Sequence, residues 1–436
     1  MEALKYCSKG QMIFYILFFL LTLNLYAQQI DYAREVIERL CAPDLHGRGY
    51  VAEGDKKAAE YIASQFSNFG LSAYQEGYFQ KFTIPVNTYP GDLEVVLDDK
   101  VLIAGKDYLV NPCSPSSKGT FGVFELTKND LLNKEYLKRS LQKAKGKFLF
   151  INRFLFKEEP KDIIQRLNEV INSLKYGEGF SVLGILEITD EKLTWHASTE
   201  VCIIPSFTIY KAETPEKIKK VSYKVDNKHF KKYNTQNVIG FIKGKINPDS
   251  IIVITAHYDH LGRMGSHTYF PGANDNASGT ALLLDLARHY SLPENEPPFT
   301  IVFIAFGAEE IGLLGSKFYV ENPLFPLQDI KFLVNLDIAG TGDEGITVVN
   351  GKVYQEEFNL LSKINTELDL LPQVKIRGEA CNSDHCMFHL NEVPSFFIYT
   401  LGGIKAYHDV YDIPETLPLT SYEPFFQLLT QFLKEL

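Results

Sequence analysis

The second half of the chain alternates between strand-like and helix-like patterns of apolar residues. From Asn237 onward, continuous aliphatic runs typical of buried strands alternate with segments whose apolar residues recur at helical spacing. The strand-like runs are SIIVITAH, TIVFIAF, KFLVNLD and SFFIYT, and the helix-like segments are TALLLDLARHY and EIGLLGSKFYV. Strands that alternate with helices form a mostly parallel sheet covered by helices on both faces. We therefore expect an α/β fold, a three-layer α/β/α sandwich around a mostly parallel mixed sheet.

The first half has a different pattern. Two helical segments come first, AREVIERL and GDKKAAEYIASQFSNFG, and Gly70 is the expected stop of the second helix. The strand-like runs LEVVL, GKFLFINRF and VLGILEI then surround one helical stretch, KDIIQRLNEVINSLKYG. A chain of 436 residues is too long for one ordinary core. We expect residues 28–90 and 234–436 to form the main domain and residues 91–233 to form a smaller insert rich in β-structure.

Composition and charge narrow the class of protein. Apolar residues make up 45% of the chain and charged residues 22%, as in soluble globular proteins. The net charge of −10 argues against a nucleic-acid or anionic-membrane partner, which would favour a basic face. The sequence leaves the oligomeric state open.

The N-terminus has the pattern of an export signal. Lys5 and Lys9 precede the apolar run MIFYILFFLLTLNLYA, which ends at the small residue Ala27. This run is shorter than the ~20 residues that a membrane-spanning helix needs. We expect residues 1–27 to be a signal peptide, with no stable membrane anchor after cleavage, and the mature protein to be periplasmic or extracellular.

The cysteines suit an exported protein. Six are present, and Cys7 would leave with the signal peptide, so an odd number would remain. Export permits disulfides, and an odd number leaves at least one unpaired thiol in a monomer. Cys381 and Cys386 are close in sequence and are the expected pair.

Residues that can bind metals follow the strand-like runs of the second half. Six of these residues follow an apolar run, and a seventh, an acid, lies in the loop GANDNASGT before a helix. In chain order they are His257 and Asp259, the loop residue Asp275, Glu309 and Glu310, Asp337, and His408.

Each of these residues alone has an ordinary structural explanation. Acids suit the start of a helix, and an Asp in an Asn/Gly loop usually forms a turn or a cap. Their joint placement favours a shared site, because open α/β sheets gather function at the carboxyl ends of the strands. Imidazole and carboxylate ligands without thiolate suit zinc or a similar divalent ion in a hydrolytic site.

The loop GANDNASGT contains no aliphatic side chain larger than alanine. Two His and three carboxylates can serve two metals if one carboxylate bridges them. A bridging carboxylate must lie between cations ~3.5–4 Å apart, so the backbone beside it needs room and unusual geometry. We interpret the small residues around Asp275 as a clearance requirement for this role.

Six segments in order resemble the motifs of one enzyme family. They are AHYDHLG, GANDNASGTALLLDLAR, FIAFGAEEIGLLGSKFYV, NLDIAG, SDHCMF and YHDVYD. They resemble the co-catalytic di-zinc aminopeptidases, a family that includes bacterial leucyl aminopeptidase and, more distantly, glutamate carboxypeptidase and glutaminyl cyclase. The segment LHGRGYVAEGDKKAAEYIASQFSNFGL is similar to the family's lead-in helices. The insert resembles a protease-associated domain, with IPSFTIY as its late strand.

The resemblance implies two Zn²⁺ ions per chain, although other divalent metals suit the same ligand types. His257 and Asp337 would bind one ion, and Glu310 and His408 the other. Asp275 would bind both ions, and a cis peptide bond would follow it.

The resemblance also implies roles for residues around the metals. Glu309 would be the general base. Asp259 would orient His257 by accepting its other ring N–H, and Asp412 would do the same for His408. Asp384, His385 and Tyr407 are expected near substrate or in the shell of residues around the ligands. Asp384 and His385 would form part of the pocket wall, and a purely structural role for these two is the alternative. The insert would shape access to the cleft or bind substrate, without supplying catalytic groups. Trp195 is expected in the core and His196 is expected to be structural. His260 is expected to support its loop, with contact to substrate as the alternative.

The implied function is that of an exported zinc-dependent metallo-exopeptidase. We expect an aminopeptidase that hydrolyses N-terminal residues from peptides with a zinc-activated water. Asp409 and Val410 follow His408, where the family commonly has Thr-Pro, and this keeps a carboxypeptidase of the glutamate carboxypeptidase type open. A glutaminyl cyclase with one zinc and an inactive receptor-like binding module with none are further alternatives. The metal content per chain separates these classes.

Overall fold

The structure is a computed structural model that describes residues 30–176, 181–215 and 217–436. The expected signal peptide, residues 1–27, lies outside the described residues. No helix in the described ranges is long and apolar enough to cross a membrane.

The strands of the described chain are numbered in chain order. They are β1 (Phe79–Thr88), β2 (Leu93–Leu97), β3 (Lys100–Leu102), β4 (Tyr108–Val110), β5 (Ser117–Leu126), β6 (Phe148–Asn152), β7 (Gly184–Thr189), β8 (Ser206–Tyr210), β9 (Lys220–Val225), β10 (Lys228–Ile242), β11 (Asn247–His257), β12 (Arg263–Met264), β13 (Thr268–Tyr269), β14 (Phe299–Phe306), β15 (Ile330–Leu336), β16 (Ile346–Val349), β17 (Val374–Ile376) and β18 (Ser395–Thr400).

The α-helices follow the same numbering. They are α1 (30–40), α2 (Gly54–Asn68), α3 (Lys128–Leu132), α4 (Lys134–Lys143), α5 (Lys161–Tyr176), α6 (Gly279–Tyr290), α7 (Leu314–Glu321), α8 (Gln355–Leu368), α9 (His385–His389) and α10 (Tyr422–Glu435).

The main domain is built on an eight-stranded mixed sheet. Its strand order is β1-β10-β14-β11-β15-β18-β16-β17. The four central strands, β14, β11, β15 and β18, are mutually parallel, whereas β1, β10 and β16 pair with their inner neighbours in the antiparallel direction. Strand β14 is buried along its whole length, which explains why seven of its eight residues are apolar. The expected α/β class with a mixed sheet is confirmed.

Helices cover both faces of this sheet. Apolar residues of α1, α2, α6, α8 and α10 form one large core with the sheet. On the other face, Tyr319 of α7 and Phe388 of α9 pack into a separate core with β14 and β15. The result is the three-layer arrangement that the alternating sequence pattern predicts. The strands β16 and β17 and the helices α8 and α10 were not among the elements read from the sequence.

The insert has its own sheet. We use the term insert for residues 93–225, which contain the second eight-stranded sheet, of order β3-β2-β9-β5-β6-β7-β8-β4. The chain leaves the main sheet after β1 and returns to it with β10, and these two strands pair with each other. Besides the expected helix α5, the insert contains α3 and α4. One insert core includes Trp195 and is continuous with Leu261, Met264 and Phe270, which follow β11 in the main domain.

Candidate metal centre

The sheet brings the sequence-predicted ligands to one edge. His257 is the last residue of β11, and Asp337 directly follows β15. Glu309 and Glu310 follow β14, and His408 lies in the loop after β18. These four strands are parallel, so their carboxyl ends meet at the same edge.

Asp275 lies between the two imidazoles. Its Oδ1 atom is 3.3 Å from Nε2 of His257, and its Oδ2 atom is 3.0 Å from Nε2 of His408. Asp337 Oδ1 lies 3.4 Å from Nε2 of His257, and Glu310 Oε2 lies 3.1 Å from Nε2 of His408. The five residues therefore form two groups that share Asp275. We call His257, Asp337 and Asp275 Oδ1 the first half-site, and His408, Glu310 and Asp275 Oδ2 the second half-site.

The backbone around Asp275 is as crowded as its small neighbours suggest. The peptide bond between Asp275 and Asn276 is cis, which confirms the expectation from the family resemblance. Gly272 adopts a φ of +60°, and a Cβ atom there would collide with the Asp275 carbonyl oxygen and the His260 ring. A Cβ at Gly279 would collide with the Asn276 side chain and the Leu336 carbonyl oxygen. Larger residues would push this loop away from the two imidazoles.

Main-chain carbonyls, not carboxylates, orient both imidazoles. Nδ1 of His257 is 3.2 Å from the carbonyl oxygen of Asp259 but 3.9 Å from its carboxylate, so the expected contact with the Asp259 side chain is wrong. Nδ1 of His408 is 3.0 Å from the carbonyl oxygen of Trp195. Each contact leaves Nε2 directed at Asp275, which is the orientation that a metal-binding imidazole needs.

The Asp259 carboxylate instead holds the backbone of the Glu pair. Its Oδ1 accepts a hydrogen bond from the N–H of Glu309 at 3.1 Å, and its Oδ2 accepts one from the hydroxyl of Tyr50 at 3.2 Å. Burial raises the pKa of Asp259 to about 6, which the charge of His257 and the backbone N–H groups partly offset. The carboxylate of Asp259 therefore positions Glu309, whereas its main-chain carbonyl oxygen orients His257.

Asp412 also has a different partner from the one expected. Its two carboxylate oxygens accept hydrogen bonds from the N–H groups of Asn274 and Asp275, at 2.8 and 3.0 Å. The expected contact with His408 is wrong, because the Nδ1 atom of that ring faces Trp195. Asp412 thus holds the backbone of the loop that carries the shared carboxylate.

Glu310 is oriented by a second histidine. Its Oε1 lies 2.6 Å from Nδ1 of His260, which leaves Oε2 directed at His408. His260 was expected to support its loop or to touch substrate, and the structure adds a direct contact with a candidate ligand. Burial and the charge of Asp275 raise the pKa of Glu310, but the imidazoles of His408 and His260 outweigh them and lower it to about 2.

Glu309 lies beside the first half-site. One of its carboxylate oxygens is within 4.8 Å of ligand atoms of His257 and Asp337. Burial raises the pKa of Glu309 well above its usual value, and neighbouring carboxylates add to the effect, whereas His257 opposes it. A general base must be deprotonated, so Glu309 requires additional positive charge nearby to serve as one.

The half-sites open into a cavity of about 550 Å³. Its wall includes Tyr407, whose ring stacks on His408 at a centroid distance of 4.0 Å, and His196 of the insert. It also includes Arg377, Tyr399 and residues of the Cys381–Cys386 disulfide loop. Asp384 and His385 are fully buried and do not line the cavity, which favours the structural alternative for these two residues over a place in its wall.

The structure pairs the cysteines that were expected to pair. Cys381 and Cys386 form one disulfide, and Cys113 and Cys202 form a second within the insert. Cys41 is the free cysteine among the described residues, and it is buried. The second pair is separated by 89 residues, so sequence proximity could not have indicated it.

The part of the chain that carries the half-sites matches a known protein family. Residues 237–433 match the model of "Peptidase family M28". This segment is similar to members of peptidase family M28. It contains all five candidate ligands as well as Glu309, Asp259 and Asp412.

Individual relatives agree with this assignment. Over 202 residues, 43% of this chain, the sequence is 34% identical to "Aminopeptidase YwaD" of Bacillus subtilis (strain 168), and the alignment covers 38% of that protein. The matched part is therefore well under half of the relative's length. A crystal structure described as "BSAP, a zinc aminopeptidase from Bacillus subtilis" superposes with a TM-score of 0.67 at 22% identity, covering 93% of this chain and 94% of that one. The aminopeptidase from Aneurinibacillus sp. strain AM-1 gives a TM-score of 0.60 at 21% identity, covering 92% of each chain. At these identities the two structures share the fold.

Several residues that support the M28 segment lie outside it and were not found from the sequence. The guanidinium of Arg48 is fully buried and donates to the carbonyl oxygens of Tyr258, Pro271 and Gly272 at 2.7, 2.6 and 2.8 Å. It therefore ties the end of β11 to the loop that carries Asp275. The available signal was the arginine in the lead-in LHGRG. If this arginine is buried, its guanidinium needs several hydrogen-bond acceptors and so must connect several segments of chain. Nothing comparable in the sequence indicated that Trp195 and His196 lie near the site.

Proposed function

We propose that this protein is a zinc-dependent metallo-exopeptidase, an aminopeptidase that removes N-terminal residues from peptides with two zinc ions per chain. The observation that carries the proposal is Asp275, whose two oxygens face one imidazole each at 3.3 and 3.0 Å. The similarity to peptidase family M28 of the segment that carries these residues supports a peptidase.

The residues present fit two zinc ions. Each half-site offers one imidazole Nε2 and carboxylate oxygens, and zinc accepts both ligand types. Asp337 Oδ1 is buried and has no hydrogen-bond partner in the described structure, which is costly unless a cation or solvent contacts it. The side chains of Asp275, Glu310 and Asp337 are at most 9% exposed, so three carboxylates share a small volume that two divalent ions would neutralise.

Zinc bound in these half-sites would supply Lewis-acid activation of water and of the peptide carbonyl. Glu309 is the group placed to take the proton of the attacking water and to return it to the leaving amine. The backbone bond from Glu309 to Asp259 keeps its carboxylate at the first half-site. His257 and His408 are held by carbonyl oxygens in the orientation that keeps Nε2 available.

One observation favours a second candidate function. Arg377 lines the cavity, and its guanidinium has no ion-pair partner in the described structure. A guanidinium suits the C-terminal carboxylate of a peptide, so a carboxypeptidase activity is the alternative. Aminoacyl anilides and N-blocked dipeptides separate the two activities, because only an aminopeptidase requires a free amine.

We also propose that the protein is exported and that the insert is a protease-associated-like domain. Two disulfides within the described chain suit an oxidising compartment. Strand β8 runs through the sequence that resembles the late strand of such domains. Residues 1–27 are proposed as the signal, and mass spectrometry of the mature N-terminus in the exporting cell tests this.

The central experiment combines metal analysis with a substrate panel. We expect two zinc ions per chain, activity on aminoacyl anilides that a chelator abolishes, and recovery when zinc is restored. One zinc per chain with cyclisation of N-terminal glutamine would favour the cyclase. No bound zinc and no hydrolysis of any peptide would contradict the proposal.

A further inference from the structure

The insert reaches into the loop that carries His408. Lys192 lies in the insert, more than two hundred positions before this loop in the sequence. Its Nζ atom is 2.7 Å from the carbonyl oxygen of Lys405, 2.8 Å from that of Tyr407 and 2.7 Å from Oδ2 of Asp409. An ammonium group has three N–H donors, so all of them are used within this one loop. These contacts flank His408 on both sides.

A second contact from the insert is made to His408 itself. The N–H of Trp195 donates to the His408 carbonyl oxygen at 2.9 Å, and Nδ1 of His408 lies 3.0 Å from the Trp195 carbonyl oxygen. The ring of Trp195 is buried and stacks on Phe270 at 4.8 Å, so its backbone is fixed by the shared core. The orientation of the His408 ring is therefore set by a residue of the insert.

Without Lys192 this loop would carry an unpaired buried charge. The side chain of Asp409 is 5% exposed, and its ion-pair partner in the described structure is Lys192. Its other oxygen accepts the N–H of Tyr411 at 2.8 Å. Removal of the ammonium group would favour a rearrangement that lets Asp409 reach water, because an isolated buried carboxylate is costly. Such a rearrangement would move the neighbouring His408.

We propose that Lys192 is a positioning residue for the second half-site, so that the insert sets the zinc affinity at His408 but not at His257. The inference rests on the proposed function, because it assumes that both half-sites bind zinc. Contacts of this outer kind typically change metal affinity about 10- to 100-fold. The insert is then part of the metal centre rather than only a wall of the cleft.

The test measures the two zinc dissociation constants separately, by competition with a chromophoric chelator. The single substitution His408→Ala, compared with the unmodified protein, identifies which of the two constants belongs to the second half-site. We expect Lys192→Met to weaken that constant about 10- to 100-fold and to leave the other within about twofold. The matched control is Lys157→Met, because Lys157 also lies in the insert and pairs with one exposed carboxylate, Asp190, at 3.0 Å. The control should leave both constants unchanged.

Three results would overturn the inference: unchanged constants in Lys192→Met, equal weakening of both constants, or the same effect in Lys157→Met. If Lys192→Met does not fold, as judged by circular dichroism, Asp409→Asn is the second variant. Asp409→Asn keeps the contacts of Lys192 with the carbonyl oxygens of Lys405 and Tyr407. It should weaken only the zinc dissociation constant of the second half-site, and by less than is expected for Lys192→Met. An unchanged constant in this variant would also overturn the inference. Two zinc ions and peptidase activity in unmodified protein test the proposed function and do not depend on either variant.

Discussion

The two half-sites differ in what holds them. In the first, His257 ends β11 and Asp337 follows β15, and these neighbouring parallel strands are fixed by the hydrogen bonds of the central sheet. In the second, His408 lies in a loop that depends on Lys192 and Trp195 of the insert. The first half-site is thus held by the main domain, whereas the second half-site also depends on residues of the insert.

This difference has a physical consequence for how each half responds to change. A ligand on a central strand moves only if the sheet moves, and central strands are among the most protected parts of a domain. A ligand on a loop moves when any of its anchors is lost. We therefore expect the second half-site to be the more sensitive of the two to substitutions far from the metals.

The largest expected effect is on catalysis and should leave both halves intact. Glu309→Gln removes the proposed base, and kcat should fall about 100- to 10,000-fold. Because Glu309 is assigned as base and not as ligand, zinc content should remain at two per chain. Steady-state kinetics and metal analysis of the same preparation check this, with the exposed helix-end residue Glu321→Gln as control. Loss of one zinc would instead make Glu309 a ligand of the first half-site.

A substitution at the shared loop should affect both halves together. Asp412→Ala removes the acceptor of the N–H groups of Asn274 and Asp275, so the bridging carboxylate loses its anchor. Both zinc constants should weaken, by about 10- to 100-fold each. Chelator competition measures them, and Asp329→Ala, just before β15 at the opposite edge of the sheet, is the control. Weakening of a single constant would mean that Asp275 does not serve both ions.

The pH dependence of zinc binding should be steep for both halves. Burial lowers the pKa of His408, but Glu310 and Asp275 outweigh it and raise the pKa to about 11. The pKa of His257 is also raised well above its usual value, because nearby carboxylates overcome the effect of burial. With pKa values raised in this way, both rings would hold a proton at neutral pH before metal binds, and zinc binding would release it.

The affinity for each zinc should therefore rise with pH between about 5.5 and 8, by roughly tenfold per unit for each proton released. Calorimetry in buffers of different ionisation enthalpy counts the protons. A pH-independent affinity over this range would show that the rings are already neutral before zinc binds.

The smallest expected effect is on stability. Zinc that binds only the folded state, at a free concentration of 100 times its dissociation constant, should add about 2.7 kcal/mol per site to the free energy of unfolding. Chelation should lower the Tm accordingly, and scanning calorimetry with and without zinc measures the shift. An unchanged Tm would contradict zinc binding to the folded chain.

The sequence was enough to place a site residue where that residue lies at the end of a strand. His257 and Asp337 could be assigned to one edge of the sheet because each lies at the end of an apolar run. The partner of Asp412 and the contacts of Lys192 could not be derived in this way. Both depend on which loops meet in space, and the relevant residues are separated by 137 and more than two hundred positions.

The fold shows the same limit, because pairing between distant segments cannot be derived from local sequence. Long buried strands such as β14 are unambiguous, because seven of its eight residues are apolar. The short strands β16 and β17, of four and three residues, carry too little periodicity to be recognised. Their position at the edge of the sheet is decided by pairing, since β16 pairs with β18 and β17 pairs with β16.

Cys41 gives the molecule an internal reporter. Its Sγ lies 3.3 Å from the Pro271 carbonyl oxygen, beside Arg48, and burial raises the pKa of its thiol to about 12. A thiol in this state is inert toward alkylating reagents while the chain is folded. Labelling of Cys41 should therefore follow the opening of the core around Arg48, with no engineered probe and no background from the two disulfides.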